Sequence, residues 1–308
     1  MFRNKEYILA VYREGGFTKA AEKLFVSQPS LSASIKRIEE KVQAPIFDRS
    51  MSPIALTEIG KEYVKYALEI EEKEKDFSVY ISDYAELLTG KIRLGGSSFF
   101  SSFILPKLVS EFNKKHPSIE FEIIEDNSKD LMKRLLSGEL DIVIDNADIS
   151  DENILSEVFT SEQLLLAVPK QLKINEKLAN FRLTYEDLIS EQPIEKSVSL
   201  SEFRDESFIL LNSENDTGRR ALKLFKKHGI SPNVIFHLDQ QITAYNVSRS
   251  GLGISFVSDT LVKNMGEQPN MYFYILKDKS TLRAVYFYQK KNRYQSIACR
   301  KFLEYNAK

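Results

Sequence analysis

The sequence predicts an α/β protein in three parts: a small helical N-terminal unit, one long helix, and a larger C-terminal region of alternating strands and helices. Three observations support this prediction. Apolar residues in the first forty positions recur at steps of three and four, the period of amphipathic helices. Residues 58–88 contain no proline and only one glycine, Gly60. From residue 90 onward, apolar runs typical of strands alternate with helical segments, which indicates a parallel sheet.

Composition limits the class of protein. The chain has 308 residues, of which 43% are hydrophobic and 28% charged, so it can form more than one folded unit and is not expected to be disordered. No stretch approaches the ~20 apolar residues of a membrane span, and the N-terminus does not have the pattern of a secretory signal, so we expect a cytoplasmic protein. The single cysteine, Cys299, cannot form an internal disulfide, and no metal or cofactor is expected.

Charge is unevenly distributed along the chain. The formal net charge is −1, but residues 1–57 contain nine Lys and Arg against six Asp and Glu. A basic segment in an otherwise acidic chain suggests a polyanionic partner for the N-terminal unit.

The first two predicted helices are short and lie close together. Ile8 and Val11 mark the inner face of the first, which should end at Gly15 and Gly16. We expect Thr18 to cap the second helix. Small residues, Ala20 and Ala21, allow the two helices to approach closely.

The third helix is predicted to begin after Ser27, which can act as its N-cap, with Pro29 in its first turn. Its apolar residues Leu31, Ile35 and Ile38 fall on one side. A turn of three residues, FVS, separates it from the second helix, which indicates a helix-turn-helix whose last helix enters the major groove of DNA. The alternative is an ordinary three-helix bundle with solvated serines.

The outer edge of the third helix carries side chains suited to DNA. Gln28 can form a bidentate contact with adenine, whereas the two serines can bind a base or a phosphate and the basic residues can neutralise phosphate. The stretch APIFDRSMSPIALTEIG, residues 44–60, predicts a β-hairpin with Arg49 near its base, and hence a winged helix-turn-helix. The candidate DNA-binding residues are Gln28, Pro29, Ser30, Ser32, Lys36, Arg37 and Arg49.

These residues resemble the N-terminal signature of the LysR-type transcriptional regulators. The similarity covers about forty-five residues and includes the paired alanines, the run SQPSLS at 27–32, Ile35, Glu39, IFDR at 46–49, and Leu56, Thr57 and Gly60. The chain departs from the family at Ala33 and Ser34, where many members have a basic residue and a glutamine. A DNA contact common in the family is therefore not expected there, and Lys36 could compensate.

The long helix is predicted to run from Glu58 to Leu88. An apolar seam at steps of three and four is interrupted only by Lys73. The seam comprises Tyr63, Tyr66, Ile70, Lys73, Phe77, Tyr80, Tyr84 and Leu87. The helix could dock on its own domain, but the resemblance implies that it pairs with the same helix of a second subunit, in a homodimer or homotetramer.

The C-terminal region predicts two similar α/β lobes, the periplasmic-binding-protein-like architecture of the effector domain in this family. We expect residues 1–57 to form the DNA-binding domain, 58–89 the linker helix and 90–308 the effector-binding domain. Lobe I is expected at about 90–160 and 266–308, and lobe II at about 161–265. SGLGISFVSD and ILPKLVSEFNKKHPSIEFEI also resemble the family.

Ligands of such sheets bind beyond the carboxyl ends of the strands. The first strand leads into Gly95 and Gly96, so the helix that follows could bind an anion at its N-terminus. Helix capping is an alternative role for each candidate, above all for Thr217. The candidate effector-binding residues are Ser97, Ser98, Asn127, Asn146 and Thr217.

Catalysis has little support in the sequence. Its three histidines have no partnered nucleophile, and no phosphate loop or metal-ligand spacing is present. Asp141 and Asp145 lie on one strand stretch, and Asp141 is expected to be structural.

The resemblance implies a regulator that binds double-stranded DNA and whose conformation on DNA is altered by a small, anionic effector; an activator would also contact RNA polymerase. The alternative is an enzyme or carrier domain joined to a DNA-binding head.

Overall fold

The chain forms two compact units, Met1–Tyr84 and Ala85–Lys308, in a computed structural model that describes residues 1–50, 53–84, 90–190, 192 and 194–307. Unit 1 is helical with a small hairpin, and unit 2 contains a large mixed sheet.

Unit 1 has the predicted order of elements. It contains α1 (Lys5–Glu14), α2 (Phe17–Lys23), α3 (Gln28–Val42), β1 (Phe47–Asp48), β2 (Ala55–Leu56) and α4 (Glu58–Tyr84). The strands β1 and β2 pair antiparallel, Phe47 opposite Leu56, which confirms the hairpin.

The ends of the short helices follow their capping residues. Gly15 ends α1 with a φ of +66°, a conformation that favours glycine. Ser27 caps α3, since its Oγ accepts from the Ser30 amide at 3.3 Å. The expected Thr18 cap is wrong, because Gly16 is the N-cap and α2 already begins at Phe17. The Phe17 ring packs edge-on against Phe47, with ring centroids 5.8 Å apart.

The linker helix α4 begins inside the core of unit 1. Tyr63, which the sequence placed in an exposed seam, is buried in that core and stacks on Phe2 with ring centroids 4.7 Å apart. This prediction is corrected: the periodicity is right, but the first turns of α4 pack on their own unit. Further along, Tyr66 and Phe77 are exposed, at 51% and 63%. Leu87 lies outside the described residues.

Ion pairs hold α1 against α4. Lys5 pairs with Glu74 at 2.8 Å, and Arg13 pairs with Glu71 at 2.7 Å. Burial opposes ionisation of Glu71, but Arg13 and Lys75 outweigh it and lower the pKa of this carboxyl. The first half of the linker helix is thus part of the same packed body as the three short helices.

Unit 2 alternates strands and helices as predicted. Its strands are β3 (Gly90–Gly96), β4 (Ile119–Glu125), β5 (Ile142–Asp145), β6 (Ile154–Pro169), β7 (Ser207–Leu211), β8 (Asn233–Leu238), β9 (Ile254–Ser258), β10 (Met271–Ile275) and β11 (Leu282–Lys290). Its α-helices are α5 (Leu105–Asn113), α6 (Ser128–Leu136), α7 (Ile174–Lys177), α8 (Tyr185–Ile189), α9 (Asp216–Lys227), α10 (Gln241–Arg249), α11 (Asp259–Met265) and α12 (Ile297–Asn306). A π-helical turn, Phe100–Ile104, precedes α5, and 3₁₀ turns occupy Leu200–Phe203 and Lys279–Thr281.

Two parallel groups of strands define the lobes. The sheet order is β4-β3-β5-β11-β6-β9-β7-β8, with β10 also paired to β6. In lobe I, β3 runs parallel to β4 and β5, and in lobe II, β7 runs parallel to β8 and β9. The long strand β6 serves both: its first part pairs with β11 and its last part with β9 and β10.

Two details of the lobes differ from expectation. The sequence indicated a strand only over LLLAVPK, whereas β6 begins at Ile154. The segment 266–308 was expected in lobe I, yet β10 pairs with residues 165–169 of β6, in lobe II. The chain therefore returns to lobe I between β10 and β11. A strand pattern in the sequence does not show which neighbouring strand it pairs with, so the sequence could not assign β10 to the correct lobe.

Within the described ranges, even α4 is too polar to span a membrane, and no helix is both long and apolar enough to do so. The same residues contain no group of three or more His, Cys, Asp or Glu placed to bind a metal ion.

We predict that Gly60→Ala destabilises unit 1. A Cβ on Gly60 would lie 2.0 Å from the carbonyl oxygen of Ile46, so the backbone of α4 or of the hairpin must move. Such overpacking costs about 1–3 kcal/mol. The measurement is urea unfolding of the full chain followed by circular dichroism. Gly16→Ser is the control, because Gly16 is the N-cap of α2 in extended backbone with open space around it, and serine should maintain or raise stability. Equal stability of the wild type and Gly60→Ala would contradict this packing.

Candidate functional sites

The outward side of α3 carries the predicted DNA-binding residues. Gln28, Pro29 and Ser30 are exposed in its first turn, Lys36 and Arg37 are exposed further along, and Ser32 is half-buried. The inner residues Leu31, Ile35 and Ile38 are buried, as predicted. The amide end of α3 is therefore presented to solvent together with small polar side chains, and the positive end of the helix dipole favours a phosphate there.

Arg49 connects the hairpin to α3. Its guanidinium lies over the Phe17 ring, 5.0 Å from the centroid, with Nη1 3.5 Å from Ser32 Oγ and Nη2 3.3 Å from Glu39 Oε2. Its side chain is still 48% exposed. The sequence-predicted residues Ser32 and Arg49 thus meet on one surface, and Arg49 retains donors that can bind a phosphate.

Glu39 holds this arrangement together, a role that the sequence analysis missed. Its Oε1 accepts from the backbone amides of Ile46 and Phe47, at 2.8 and 3.4 Å, while Oε2 binds Arg49. One carboxylate therefore positions both the start of the hairpin and its arginine. The sequence did show that Glu39 matches the family pattern, but this match does not indicate which groups the carboxylate binds.

The candidates at the ends of β3 and β4 are bonded within lobe I. The Ser98 hydroxyl donates to the Glu125 carboxylate, and the Ser97 carbonyl accepts from the Ser101 amide. Asn127 is exposed and caps α6, with its Oδ1 3.0 Å from the Asp130 amide. Its Nδ2 donates to Asp126 and Asp130, so these contacts of Asn127 all lie around the start of α6.

Asn146 and Thr217, one from each lobe, are connected through Glu162 and Arg283. Asn146 Nδ2 donates to Glu162 Oε1 at 2.9 Å. Arg283 Nε donates to the same oxygen at 2.7 Å, and its Nη1 donates to Asp216 Oδ2 and Thr217 Oγ1, each at 2.9 Å. A continuous line of side-chain hydrogen bonds therefore runs from the end of β5, across β6 and β11, to the start of α9.

The line continues into lobe II. Gln241 Nε2 donates to Thr217 Oγ1 at 3.3 Å, and Ser258 Oγ donates to Gln241 Oε1 at 3.3 Å. Arg220 gives Asp216 a second cationic partner at 2.6 Å. Asn215, not Thr217, caps α9, since its Oδ1 accepts from the Thr217 amide. The hydroxyl of Thr217 is therefore available for contacts between elements.

Arg283 and Glu162 are the residues that sequence reasoning missed here. Both interrupt apolar strand sequence, in TLRAVYFY and TSEQLLLAV. A charged residue within an apolar strand pattern indicates a buried ion pair, because charged residues are rarely buried without a partner. Arg283 is the one Lys or Arg that is fully buried among the residues the structure describes.

Asp145 and Asp141, four residues apart in lobe I, have different surroundings. Burial raises the pKa of the Asp145 carboxyl; the Ser128 hydroxyl and nearby amides act in the other direction, and the charge of Asp216 adds to the rise. Asp141 accepts from the Arg93 amide at 2.8 Å and pairs with Arg293 at 2.9 Å. These contacts confirm a structural role for Asp141.

We predict that Arg283→Met strongly destabilises unit 2. The substitution would leave Glu162 buried without a cationic partner and remove one of the three arginines that pair with Asp216. Breaking a buried ion pair in this way costs about 3–5 kcal/mol. Calorimetric unfolding of the full chain is the measurement. Lys177→Met is a matched control, because it removes an exposed ion pair with Glu202 and should cost no more than about 1 kcal/mol. Similar losses for the two variants would contradict the role of Arg283.

Comparison with known proteins covers both units. Residues 2–61 match the family model described as the bacterial regulatory helix-turn-helix protein of the lysR family, and residues 85–307 match the LysR substrate binding domain. An uncharacterized HTH-type transcriptional regulator of Bacillus subtilis, YcgK, is 28% identical over 302 residues, covering 97% of this chain and 91% of that protein. The transcriptional regulator BenM of Acinetobacter baylyi is 27% identical over 259 residues, covering 83% and 79%.

Solved structures agree on the fold. The match to full-length CbnR complexed with its target DNA covers 100% of this chain and 98% of the CbnR chain, with a TM-score of 0.64 and 20% identity. A cysteine variant of full-length OxyR from Pseudomonas aeruginosa matches with a TM-score of 0.70 and 21% identity, covering 100% and 93%. With both family models matched in their expected order, the chain belongs to the LysR family of DNA-binding transcriptional regulators, with an N-terminal helix-turn-helix and a C-terminal effector-binding domain.

Proposed function

We propose that α3 reads operator DNA in the major groove while Arg49 binds the phosphate backbone. The observation that supports this most is the single surface on which exposed α3 residues lie beside the guanidinium of Arg49. In this proposal Gln28 contacts a base, Ser30 and Ser32 bind bases or phosphates, and Lys36 and Arg37 neutralise phosphates, while Pro29 lies between the contact residues in the first turn of α3. CbnR, a structural neighbour, was solved with its target DNA.

A homo-oligomer would bring two such surfaces to one operator. The exposed positions of α4, Tyr66, Phe77 and Tyr80, fall on the predicted seam, and Ile70 between them is half-buried. Large apolar side chains in a regular stripe on an exposed helix are costly unless a second helix covers them. We therefore infer that α4 pairs with its copy in a homodimer, which could assemble further into a homotetramer.

We further infer that a small effector binds between the lobes of unit 2. Asn146 and Thr217 lie on the line of hydrogen bonds that joins the lobes, which supports them as effector contacts, and Ser97, Ser98 and Asn127 lie at strand ends of lobe I. A ligand that touches both lobes would change their relative position and so the shape of the oligomer on DNA. The protein would act in the cytoplasm and, as an activator, contact RNA polymerase.

Substitutions at Gln28 and Arg49 should have different effects on DNA binding. Gln28→Ala should relax the sequence preference at one base pair by about 1–3 kcal/mol, because a bidentate contact is lost. Arg49→Ala should weaken binding to all sequences alike and reduce the slope of log K against log salt by about 1, because a phosphate contact is lost. Fluorescence anisotropy with selected and scrambled duplexes at several salt concentrations measures both.

Lys226→Ala is the control for these variants, since it removes an exposed positive charge from unit 2. It should leave both the sequence preference and the salt slope unchanged. If Gln28→Ala and Arg49→Ala also behaved like the wild type, α3 and the hairpin would not be the DNA-binding surface.

The seam on α4 makes a prediction about assembly. Tyr66→Glu combined with Phe77→Glu should shift the chain to a smaller oligomer, because two charges would be buried between paired helices. Light scattering measures the mass, and Lys75→Gln, on the opposite side of α4 by its helical spacing, is the control that should keep it. An unchanged mass for the double variant would show that the subunits associate elsewhere.

A further inference from the structure

The chain crosses between the lobes of unit 2 twice, and the two crossings lie side by side. In β6 the pairing changes from β11 to β9 between Gln163, which lies opposite Leu282, and Leu164, which lies opposite Ser258. The second crossing is the connection between β10 and β11, residues 276–281. A change in the relative position of the lobes therefore has to bend the chain at these two places.

Gln163 joins the two crossings and fastens them to lobe II. Its Nε2 donates to Thr281 Oγ1 at 2.6 Å, so one side chain reaches from the first crossing to the second. Its backbone amide donates to Asp259 Oδ1 at 2.8 Å, at the start of α11. Thr281 is buried, and its hydroxyl donates to the carbonyl of Asp278 at 2.5 Å. The residues just before β11 are therefore held both by β6 and by their own turn.

These contacts close a ring with the hydrogen bonds around Arg283. Arg283, near the start of β11, donates to Thr217, and Thr217 accepts a second bond from Gln241. Gln241 in turn accepts from Ser258, the residue that precedes α11. Five hydrogen bonds and two short pieces of main chain thus form a closed circuit, which we name the crossing ring. Its members are Gln163, Thr217, Gln241, Ser258, Asp259, Thr281 and Arg283.

The crossing ring connects three helices of lobe II to the lobe I side of both crossings. Thr217 lies in the first turn of α9, Gln241 begins α10 and Asp259 begins α11. On the other side, Gln163 and Arg283 belong to the paired part of β6 and β11. Hydrogen bonds weaken outside a narrow range of distance and angle. The lobes therefore cannot turn relative to one another while all five bonds stay intact.

Gln241 forms the weakest part of the crossing ring. Its bonds to Thr217 and from Ser258 are both 3.3 Å long, whereas the other three bonds of the ring are 2.6–2.9 Å long. The hydroxyl-bearing members are buried, but Gln241 is half-buried and can exchange its partners for water. The ring should therefore open first at Gln241, where the bonds are longest and water competes for them.

We propose that the crossing ring is a clasp that holds the lobes in one relative position and opens at Gln241. While the ring is closed, the two crossings act as one rigid connection. Once the bonds of Gln241 break, the starts of α9 and α11 are no longer tied to each other and the lobes can turn. An effector that moves the lobes would have to open this clasp; that consequence rests on the proposed function, whereas the clasp itself does not.

Distances between spin labels on the two lobes test the clasp in the full chain. The labels are attached at two exposed positions, Lys129→Cys on α6 of lobe I and Asp205→Cys before β7 of lobe II, in a Cys299→Ala background. An excess of unlabelled chain restricts the signal to pairs within one chain. Gln241→Leu and Thr281→Val each remove hydrogen bonds of the ring, so each should broaden or shift the distance distribution relative to the labelled parent chain.

Tyr274→Phe is the matched control. It removes a buried hydrogen bond of 2.8 Å to Asn175 that lies wholly within lobe II. It should lower the melting temperature, as the ring variants do, but leave the distance distribution unchanged. Hydrogen exchange gives a second readout: the amide of Gln163 should exchange about fivefold faster in the ring variants than in the parent, the factor expected when opening breaks one net hydrogen bond fewer.

An unchanged distance distribution in either ring variant that folds, or a change of the same size in Tyr274→Phe, overturns the proposal. Two ring variants keep the test valid if one of them does not fold. Because no compound and no DNA are added, such a result counts against the clasp alone, whereas failure to bind a specific operator would count against the proposed function and not against the clasp.

Discussion

The buried guanidinium of Arg283 is the interaction on which the effector-binding unit depends. It lies on β11, the strand with which the chain returns to lobe I, and binds Glu162 on β6 and Asp216 at the start of α9. Burying a cation is favourable only when its partners are well placed, so the positions of β6, β11 and α9 are coupled. A few buried side chains therefore fix how these three elements are placed relative to one another.

Glu39 has a comparable role in the DNA-binding unit. Its carboxylate binds the amides of Ile46 and Phe47 and the guanidinium of Arg49, so the hairpin cannot move away from α3 without losing three contacts. In both units, then, one charged residue links separate secondary-structure elements. The exposed residues beside it are left available for recognition.

Local patterns were sufficient to predict most elements of this chain, because helix caps and apolar periodicity depend on neighbours in sequence. Ser27 as a cap, the buried side of α3 and the alternation of strands and helices in unit 2 all follow from such patterns. Pairing between distant segments was less accessible: β10 joins lobe II, and Tyr63 packs on Phe2 instead of a partner helix. The network around Arg283 could not be predicted for the same reason, since its members are spread along the chain from Asn146 to Arg283 and meet only in the folded sheet.

The central claim is that this chain reads DNA with paired recognition helices. Selection of bound sequences from a random duplex library by the purified full-length chain tests it most directly. The account predicts enrichment of a motif with two related half-sites, whose centres are separated by about 10 base pairs or a multiple of that distance. A library that shows no enrichment, or a motif with a single half-site, would contradict it.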